Sequence, residues 1–281
     1  MTEISFPGLG IGPFTVNSTA FTVFGVDVKW YGIIICLGMI LAYTYAWTRA
    51  KKEGIKTDDM LDLALALMIF GVLGARLYYI IFSLDSFIAT GGTFGSNLVN
   101  TVKNMINIRN GGLAIFGGII AGFFTVLVVA KVKKIRFPVL VDTVAPALFI
   151  GQSIGRWGNF MNGEAYGGET TLPWRMQLST VLTSGFKSEP IVVHPTFLYE
   201  SLWNAVGFAI IAVFYKKKRF HGQWFCFYMI WYGLGRAIIE GLRADSLMLG
   251  SLRVSQILAL LVCVAGCAIF GYNIIKSYKR G

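Results

Sequence analysis

Apolar residues fall into seven runs along the chain, near 30 to 48, 60 to 82, 112 to 130, 138 to 155, 196 to 215, 222 to 242 and 254 to 275. Each run is long enough to cross a hydrocarbon core of about 30 Å as an α-helix. The pattern predicts an all-α polytopic membrane protein of seven transmembrane helices, forming a single transmembrane domain over residues 1–281. Two of the intervening segments are more than turns. The segment at about 83–111 places Leu98, Val102, Met105 and Ile106 at helical spacing among polar residues, which predicts an external arm lying in the membrane interface. The segment at about 156–195 is too polar to span and too long for a plain connector, and predicts a small external headpiece.

Basic residues follow alternate runs. Arg49, Lys51, Lys52 and Lys56 come after the first, and Lys131, Lys133, Lys134 and Arg136 after the third. Lys216, Lys217, Lys218 and Arg219 follow the fifth, and Lys276, Lys279 and Arg280 the last. Four clusters in this alternation share one side of the membrane, which the positive-inside rule assigns to the cytoplasm. The N-terminus is then expected outside and the C-terminus inside, as an odd number of spans requires. Composition agrees with a multi-pass membrane protein: 55% of the 281 residues are hydrophobic and 14% charged, outside the range of soluble domains. The net charge of +11 is read as a topological device with some attraction to anionic lipid, and nucleic acid is excluded as a partner. No cleavable signal pattern precedes the first run, which is expected to serve as the signal itself. Cys36, Cys226, Cys263 and Cys267 fall in or beside the apolar runs, where cysteine behaves as a small hydrophobe. Neither a metal site nor a cofactor is expected.

Against this background a polar, glycine-punctuated block runs from Gly155 to Gly167 and contains Arg156, Asn159, Asn162 and Glu164. Beside a hydrocarbon core, unpaired charges and amides cost kilocalories, so the block marks the expected site of chemistry. In the sixth run Tyr232, Arg236, Glu240 and Arg243 are spaced by four, four and three residues and lie on one helical face. One carboxylate there cannot neutralise two arginines. Either Arg236 and Glu240 form a structural pair while Arg243 snorkels to the headgroups, or the surplus positive charge binds an anion, for which guanidinium forks match phosphate oxygens. Arg156, also near the outer face, favours the anion. Arg76, in the outer half of the second run, either joins this cluster or snorkels.

His194-Pro195 opens the fifth run and puts Glu200 about 9 Å deeper by helical rise. Asp142 near the cytoplasmic end of the fourth run is expected to cap or to pair with a base. Two patterns are decoys. Gly151-Gln152-Ser153-Ile154-Gly155 fits the serine-hydrolase elbow but lies inside a hydrophobic helix, and Ala265-Gly266-Cys267 resembles a lipobox far from any N-terminal signal. Both read as helix packing. The polar residues concentrate in the second half with no matching set in the first, which counts against a transporter built from repeats.

Four separated motifs carry a family resemblance. They are the GRxGNFxNxE run from Gly155 to Glu164 closed by Gly167, His194-Pro195 with Leu198-Tyr199-Glu200, Tyr232 with Arg236, Glu240 and Arg243, and Trp30-Tyr31-Gly32. Together they resemble the prolipoprotein diacylglyceryl transferases of bacterial plasma membranes over all seven runs. The resemblance implies transfer of the diacylglyceryl group of phosphatidylglycerol to the lipobox cysteine of a prolipoprotein signal peptide, with release of glycerol phosphate at the outer leaflet. It implies Arg156, Arg236, Tyr232, His194, Glu164 and Tyr31 as catalytic residues. Arg156, Asn159, Asn162, Gly167, Glu200, Glu240, Arg243 and Arg76 would bind substrate. The chain departs from the family in one place: Phe116 stands where many members have a histidine, so the proton acceptor is sought among His194, Glu164, Glu200 and Tyr31. An anion or lipid transporter and an intramembrane hydrolase using Ser153 are the alternatives from other classes.

Overall fold

The computed structural model describes residues 1–108, 111–181, 187–244, 248–250 and 252–279. Residues 109–110 of the expected arm, 182–186 of the expected headpiece and Arg280 of the last basic cluster lie outside the described residues. The helices are α1 (Trp30–Lys52), α2 (Thr57–Phe82), α3 (Phe94–Ile106), α4 (Ile115–Val132), α5 (Phe137–Asn162), α6 (Thr196–Phe214), α7 (Gln223–Glu240) and α8 (Val254–Tyr278). Every apolar run is thus helical, and α3 occupies the expected arm. Among the described residues six helices are long and apolar enough to cross a membrane. The seventh long helix, α7, has 18 residues that include Gln223, Arg236 and Glu240. The chain is a mostly helical, multi-pass membrane protein. Lysines and arginines close α1, α4 and α8, and Asp58 and Asp59 open α2, so each sign sits at the helix end whose dipole favours it.

The all-helical expectation is incomplete. Strands β1 (Thr2–Phe6), β2 (Ile11–Val16), β3 (Thr19–Val23), β4 (Val26–Lys29), β5 (Met176–Thr180), β6 (Ile191–Val193), β7 (Met248–Leu249) and β8 (Leu252–Arg253) are also present. Four of them form an antiparallel sheet in the order β2-β1-β5-β6. The headpiece therefore draws half of its sheet from the N-terminus. Strand alternation turns Ile4, Val16, Met176, Leu178 and Val193 into one apolar cluster with Phe197 of α6, and Phe160 and Met161 of α5 pack against it. The sheet is thereby seated on the C-terminal end of α5 and the N-terminal end of α6. Strands β3 and β4 form a separate hairpin that runs into α1, where the Trp30 amide donates to the Ser18 carbonyl at 2.9 Å.

The chain forms two compact units, residues 49–140 and residues 1–48 with 141–281. In the first, α2 and α4 approach through glycine: a Cβ on Gly74 would overlap the Ala121 Cβ, and one on Gly117 would overlap the Gly74 carbonyl oxygen. Small residues at such a crossing let two membrane helices pack backbone to backbone. Arg76 belongs to this unit. Its Nε donates to the Met105 carbonyl at 2.8 Å, Nη1 to Gly111 and Gly112 at 2.9 and 2.8 Å, and Nη2 to Asn104 and Asn107 at 2.8 and 2.9 Å. All five N–H groups are spent on backbone carbonyls at the end of α3 and its exit.

In the second unit α6 and α7 meet at Trp203 and Trp231, stacked with ring centroids 4.5 Å apart. Each indole N–H donates to the other's carbonyl at 2.8 Å. Gly207 and Gly235 make room for them: a Cβ at Gly207 would stand 2.7 Å from the Trp231 ring, and one at Gly235 would overlap the Trp203 indole nitrogen. At the opposite end of α7, the fully buried carboxylate of Asp142 accepts from the amides of Gly222, Trp224 and Phe225 at 2.7, 2.8 and 3.1 Å, with the Lys218 ammonium 4.0 Å away. It performs both roles expected of it, capping one helix from another and facing a base.

Candidate active site

Helix α5 continues past 155 to Asn162, so the polar block is helical up to Asn162 and leaves the helix at Gly163. Its end explains the spacing of the block. Gly163 has φ +64°, its amide donates to the Phe160 carbonyl at 3.0 Å, and the Glu164 amide donates to Asn159 at 3.1 Å. This is the paired Schellman closure of a helix by a left-handed residue. It folds Glu164 back over the last turn, where its Oε1 accepts from the Asn159 and Asn162 side-chain amides at 3.1 and 3.0 Å. Asn159 in turn presents Oδ1 to Arg156 Nη1 at 3.5 Å. The block is one chain of polar contacts ending on a guanidinium. Its glycines admit α1: a Cβ on Gly155 would stand 3.2 Å from Ile35, and one on Gly158 2.8 Å from the Tyr31 ring.

The centre of the site is a carboxylate on α6. Glu200, 4% exposed, places Oε2 2.6 Å from Arg156 Nη2 and Oε1 2.7 Å from Arg236 Nη1, with Arg243 Nη1 3.9 Å from the same Oε1. Arg236 turns its Nη2 to Glu240, one turn along α7, at 2.7 Å. Among the described residues three guanidiniums converge on these two carboxylates in a largely desolvated place. Guanidinium forks clustered in this way suit phosphate oxygens. Arg243 is fixed through its backbone. The 167–168 segment runs beside it, with Gly167 bridged to Arg243 and the Gly168 amide donating to Leu242 at 2.8 Å. Gly167 has no room for a side chain, since a Cβ would meet the Leu242 carbonyl at 2.8 Å and His194 at 2.7 Å.

A second group of side chains lies at the start of α6. Trp174 donates its indole N–H to the Tyr199 hydroxyl at 2.8 Å, and that hydroxyl is 3.3 Å from His194 Nδ1. With Trp174 as donor to the hydroxyl, all three groups are satisfied when Tyr199 gives its own proton to Nδ1, which leaves Nε2 of the neutral ring as a donor. Deeper by one turn, Ser153 and Ser201 exchange hydrogen bonds across α5 and α6, each hydroxyl reaching the other's carbonyl at 2.9 Å, and Trp157 donates to Ser201 Oγ at 3.2 Å. Below Arg236, Tyr232 stacks on Tyr228 with centroids 5.5 Å apart, and Tyr228 takes a 2.8 Å hydrogen bond from Gln152. Among the described residues, Gln152 Oε1 and Asn204 Oδ1 are buried without a hydrogen-bond partner.

The tertiary structure thus gathers Arg156, Asn159, Asn162, Glu164, Glu200, Arg236, Glu240 and Arg243 into one connected network. Gly167 lies against its rim, Tyr31 lies on Gly158, and Tyr232 sits one turn beneath. His194 stands in its own aromatic group, and Arg76 in the other unit. Sequence reasoning passed over Arg253, whose Nη1 donates to the Glu240 carbonyl at the end of α7. A lone arginine before a helix carries no periodic signal, so only the fold reveals that contact.

A model of the prolipoprotein diacylglyceryl transferase family matches residues 18–272. The chain belongs to the prolipoprotein diacylglyceryl transferase family. A relative from Finegoldia magna is 42% identical over 269 residues, which cover 94% of this chain and 100% of the relative. One from Clostridioides difficile is 41% identical over 251 residues, 89% and 93% of the two chains. One from Listeria monocytogenes is 38% identical over 270 residues, 95% and 94%. All three are named phosphatidylglycerol–prolipoprotein diacylglyceryl transferase. Membership in the diacylglyceryl transferase family does not rest on Ser153, whose hydroxyl is committed to Ser201. Phe116 packs against Tyr78 with centroids 6.4 Å apart.

Proposed function

We propose that this protein transfers the diacylglyceryl group of phosphatidylglycerol to the lipobox cysteine of prolipoprotein signal peptides. The observation that carries the reading is the sharing of Glu200 between Arg156 and Arg236, with Arg243 3.9 Å from the same carboxylate. In this reading all seven long helices span the plasma membrane, the N-terminus lies outside, and the site opens to the outer leaflet beneath the headpiece.

The cysteine sulfur attacks the glyceryl carbon that bears the phosphate ester. A carbon–sulfur bond forms, the carbon–oxygen bond breaks, and glycerol phosphate leaves with the bonding electron pair. Arg156 and Arg236 hold the phosphate and stabilise the charge that gathers on it as the ester breaks. A free thiol has a pKa of about 8.5, so the same positive field also raises the thiolate fraction. Arg243 closes the phosphate side, and Glu240 with Glu200 keeps the forks oriented. Asn159 and Asn162 set Glu164, whose second carboxylate oxygen takes the thiol proton. His194, held by Tyr199, donates from Nε2 to a substrate oxygen, and Tyr31 and Tyr232 line the lipid side.

The test is mass spectrometry of a synthetic lipobox peptide incubated with the purified protein and phosphatidylglycerol. A gain of one diacylglyceryl group that is lost with Arg236→Ala, and with a serine in place of the peptide cysteine, is the expected result. No gain from a folded protein, with labelled anion crossing proteoliposomes instead, would replace the transferase with an anion transporter. Single-turnover rates of Glu164→Gln and His194→Gln separate their roles: the first loses the pH dependence of transfer, and the second retains it. Near-normal transfer by Glu164→Gln would remove it as the proton acceptor.

A further inference from the structure

The hairpin of β3 and β4 has two chemically opposite faces. Its register pairs Phe21 with Val28, Thr22 with Asp27 and Val23 with Val26, so the pleat turns Phe21, Val23, Val26 and Val28 to one side. The other side is a polar network. Thr22 Oγ1 donates to Asp27 Oδ1 at 2.8 Å, and Lys29 Nζ reaches Asp27 Oδ2 at 3.1 Å and Thr19 Oγ1 at 2.6 Å. At the tip Phe24, with φ +48° beside Gly25, is fully exposed. Phe21, Val23 and Val26 are 53%, 42% and 64% exposed. A lone two-stranded ribbon is marginal in water, and it needs its apolar face covered to be stable. Among the described residues none covers this one.

What lies beside it is the membrane. Lys29 is followed directly by Trp30 and Tyr31, the first residues of α1, both 39% exposed. Amphipathic aromatics at the mouth of a span sit at the lipid–water boundary. The lipid-facing surface of α1 therefore continues, without an intervening linker, into the apolar face of the hairpin. Exposed apolar side chains at this level find acyl chains and not water, while Lys29 and Asp27 on the opposite face meet headgroups and solvent. The hairpin ends one residue before Trp30 and two before Tyr31, whose ring fills the space above Gly158 in the polar block.

We propose that Thr19–Lys29 is a membrane-dipping hairpin, with Phe21, Val23, Phe24 and Val26 embedded in the outer leaflet beside the site. It anchors the N-terminal end of α1 at a fixed depth and so fixes the depth of Tyr31. The partner is the acyl region of the lipid surface itself.

The test uses full-length protein in vesicles of phosphatidylglycerol and phosphatidylcholine with dibrominated chains, and compares Phe24→Trp and Thr22→Trp after subtraction of the wild-type tryptophan signal. Brominated chains are expected to quench the indole introduced at position 24 at least about twofold more than the one introduced at position 22, while aqueous acrylamide reaches position 22 first. Equal quenching at both positions, or acrylamide reaching position 24 first, would overturn the proposal. A photoreactive benzoylphenylalanine at position 24 provides a second readout that is independent of transfer chemistry. A phospholipid adduct supports the membrane as partner, and an adduct to a second copy or to another protein overturns it.

Discussion

Arg156 on α5 and Arg236 on α7 are held by the two oxygens of one carboxylate, Glu200 on α6, at 2.6 and 2.7 Å. Their common partner brings two forks from different helices to bear on one position. The arrangement predicts that Glu200 is as necessary as the arginines it holds. Glu200→Gln keeps the volume but releases both forks, and transfer is expected to fall about 100-fold, or about 2.7 kcal/mol. Glu200→Ala leaves buried guanidiniums without their partner and should also lower stability by about 3–5 kcal/mol. Rates with a lipobox peptide and thermal unfolding in detergent measure the two effects. An unchanged rate in Glu200→Gln would mean that the arginines are positioned by something else.

The turn at Gly163 should tolerate no side chain without loss. Its φ of +64° costs a non-glycine residue about 1–2 kcal/mol, and a Cβ would stand 3.1 Å from Thr2 of the headpiece sheet. Gly163→Ala is expected to lower the melting temperature and to slow transfer by displacing Glu164. A variant that melts normally would show the turn to be relaxed.

Ser153 separates the transferase from a serine hydrolase. Its hydroxyl is engaged with Ser201, so Ser153→Ala should cost about 0.5–1.5 kcal/mol of stability with transfer kept within about twofold, a stability change of that size leaving most of the protein folded. Complete loss of activity in a folded Ser153→Ala protein would revive the hydrolase.

Arg76 is predicted to act on its own unit through the backbone. Lysine offers three donors in place of five, so Arg76→Lys should free carbonyls at the end of α3. Hydrogen exchange over 104–108 and 111–112 should rise about tenfold, equivalent to about 1.4 kcal/mol of local opening. Unchanged exchange with weakened phosphatidylglycerol binding would instead make Arg76 a substrate ligand.

The polar face of the β3–β4 hairpin gives a pH dependence. Hydrogen bonds from Thr22 and Lys29, with the Lys29 charge, hold the Asp27 carboxyl below the usual carboxylate range. A depressed folded value stabilises the hairpin above the unfolded value and is lost as pH falls through the folded one. Amide protection in the hairpin should therefore be intact at pH 5 and decline only below about pH 3.9. Asp27→Asn should be insensitive over that range, and a wild-type hairpin that loosens already at pH 6 would contradict the assignment.

Much was legible in the chain before folding, because hydrophobic run length and helical spacing are local properties. The seven helices, the arm helix at α3, the basic helix ends and the shared face of Tyr232, Arg236, Glu240 and Arg243 all follow from period and charge. The strands at the N-terminus carried a period-two signal in Thr2–Phe6 and Thr19–Lys29, but the pairing of Thr2–Phe6 with Met176–Thr180 is not local, and alternation cannot name a distant partner. The same limit applies within the site. Spacing put Arg236 and Glu240 one turn apart, yet it could not show Glu200, which approaches from another helix and is shared with Arg156. Helix period dictates which side chains can face inward, whereas the crossing of α5, α6 and α7, set by Trp203 against Gly235 and Ser153 against Ser201, decides which of them meet. For Arg76 the tertiary structure supplied what composition could not, five backbone carbonyls converging on one guanidinium from residues 28 to 36 positions away.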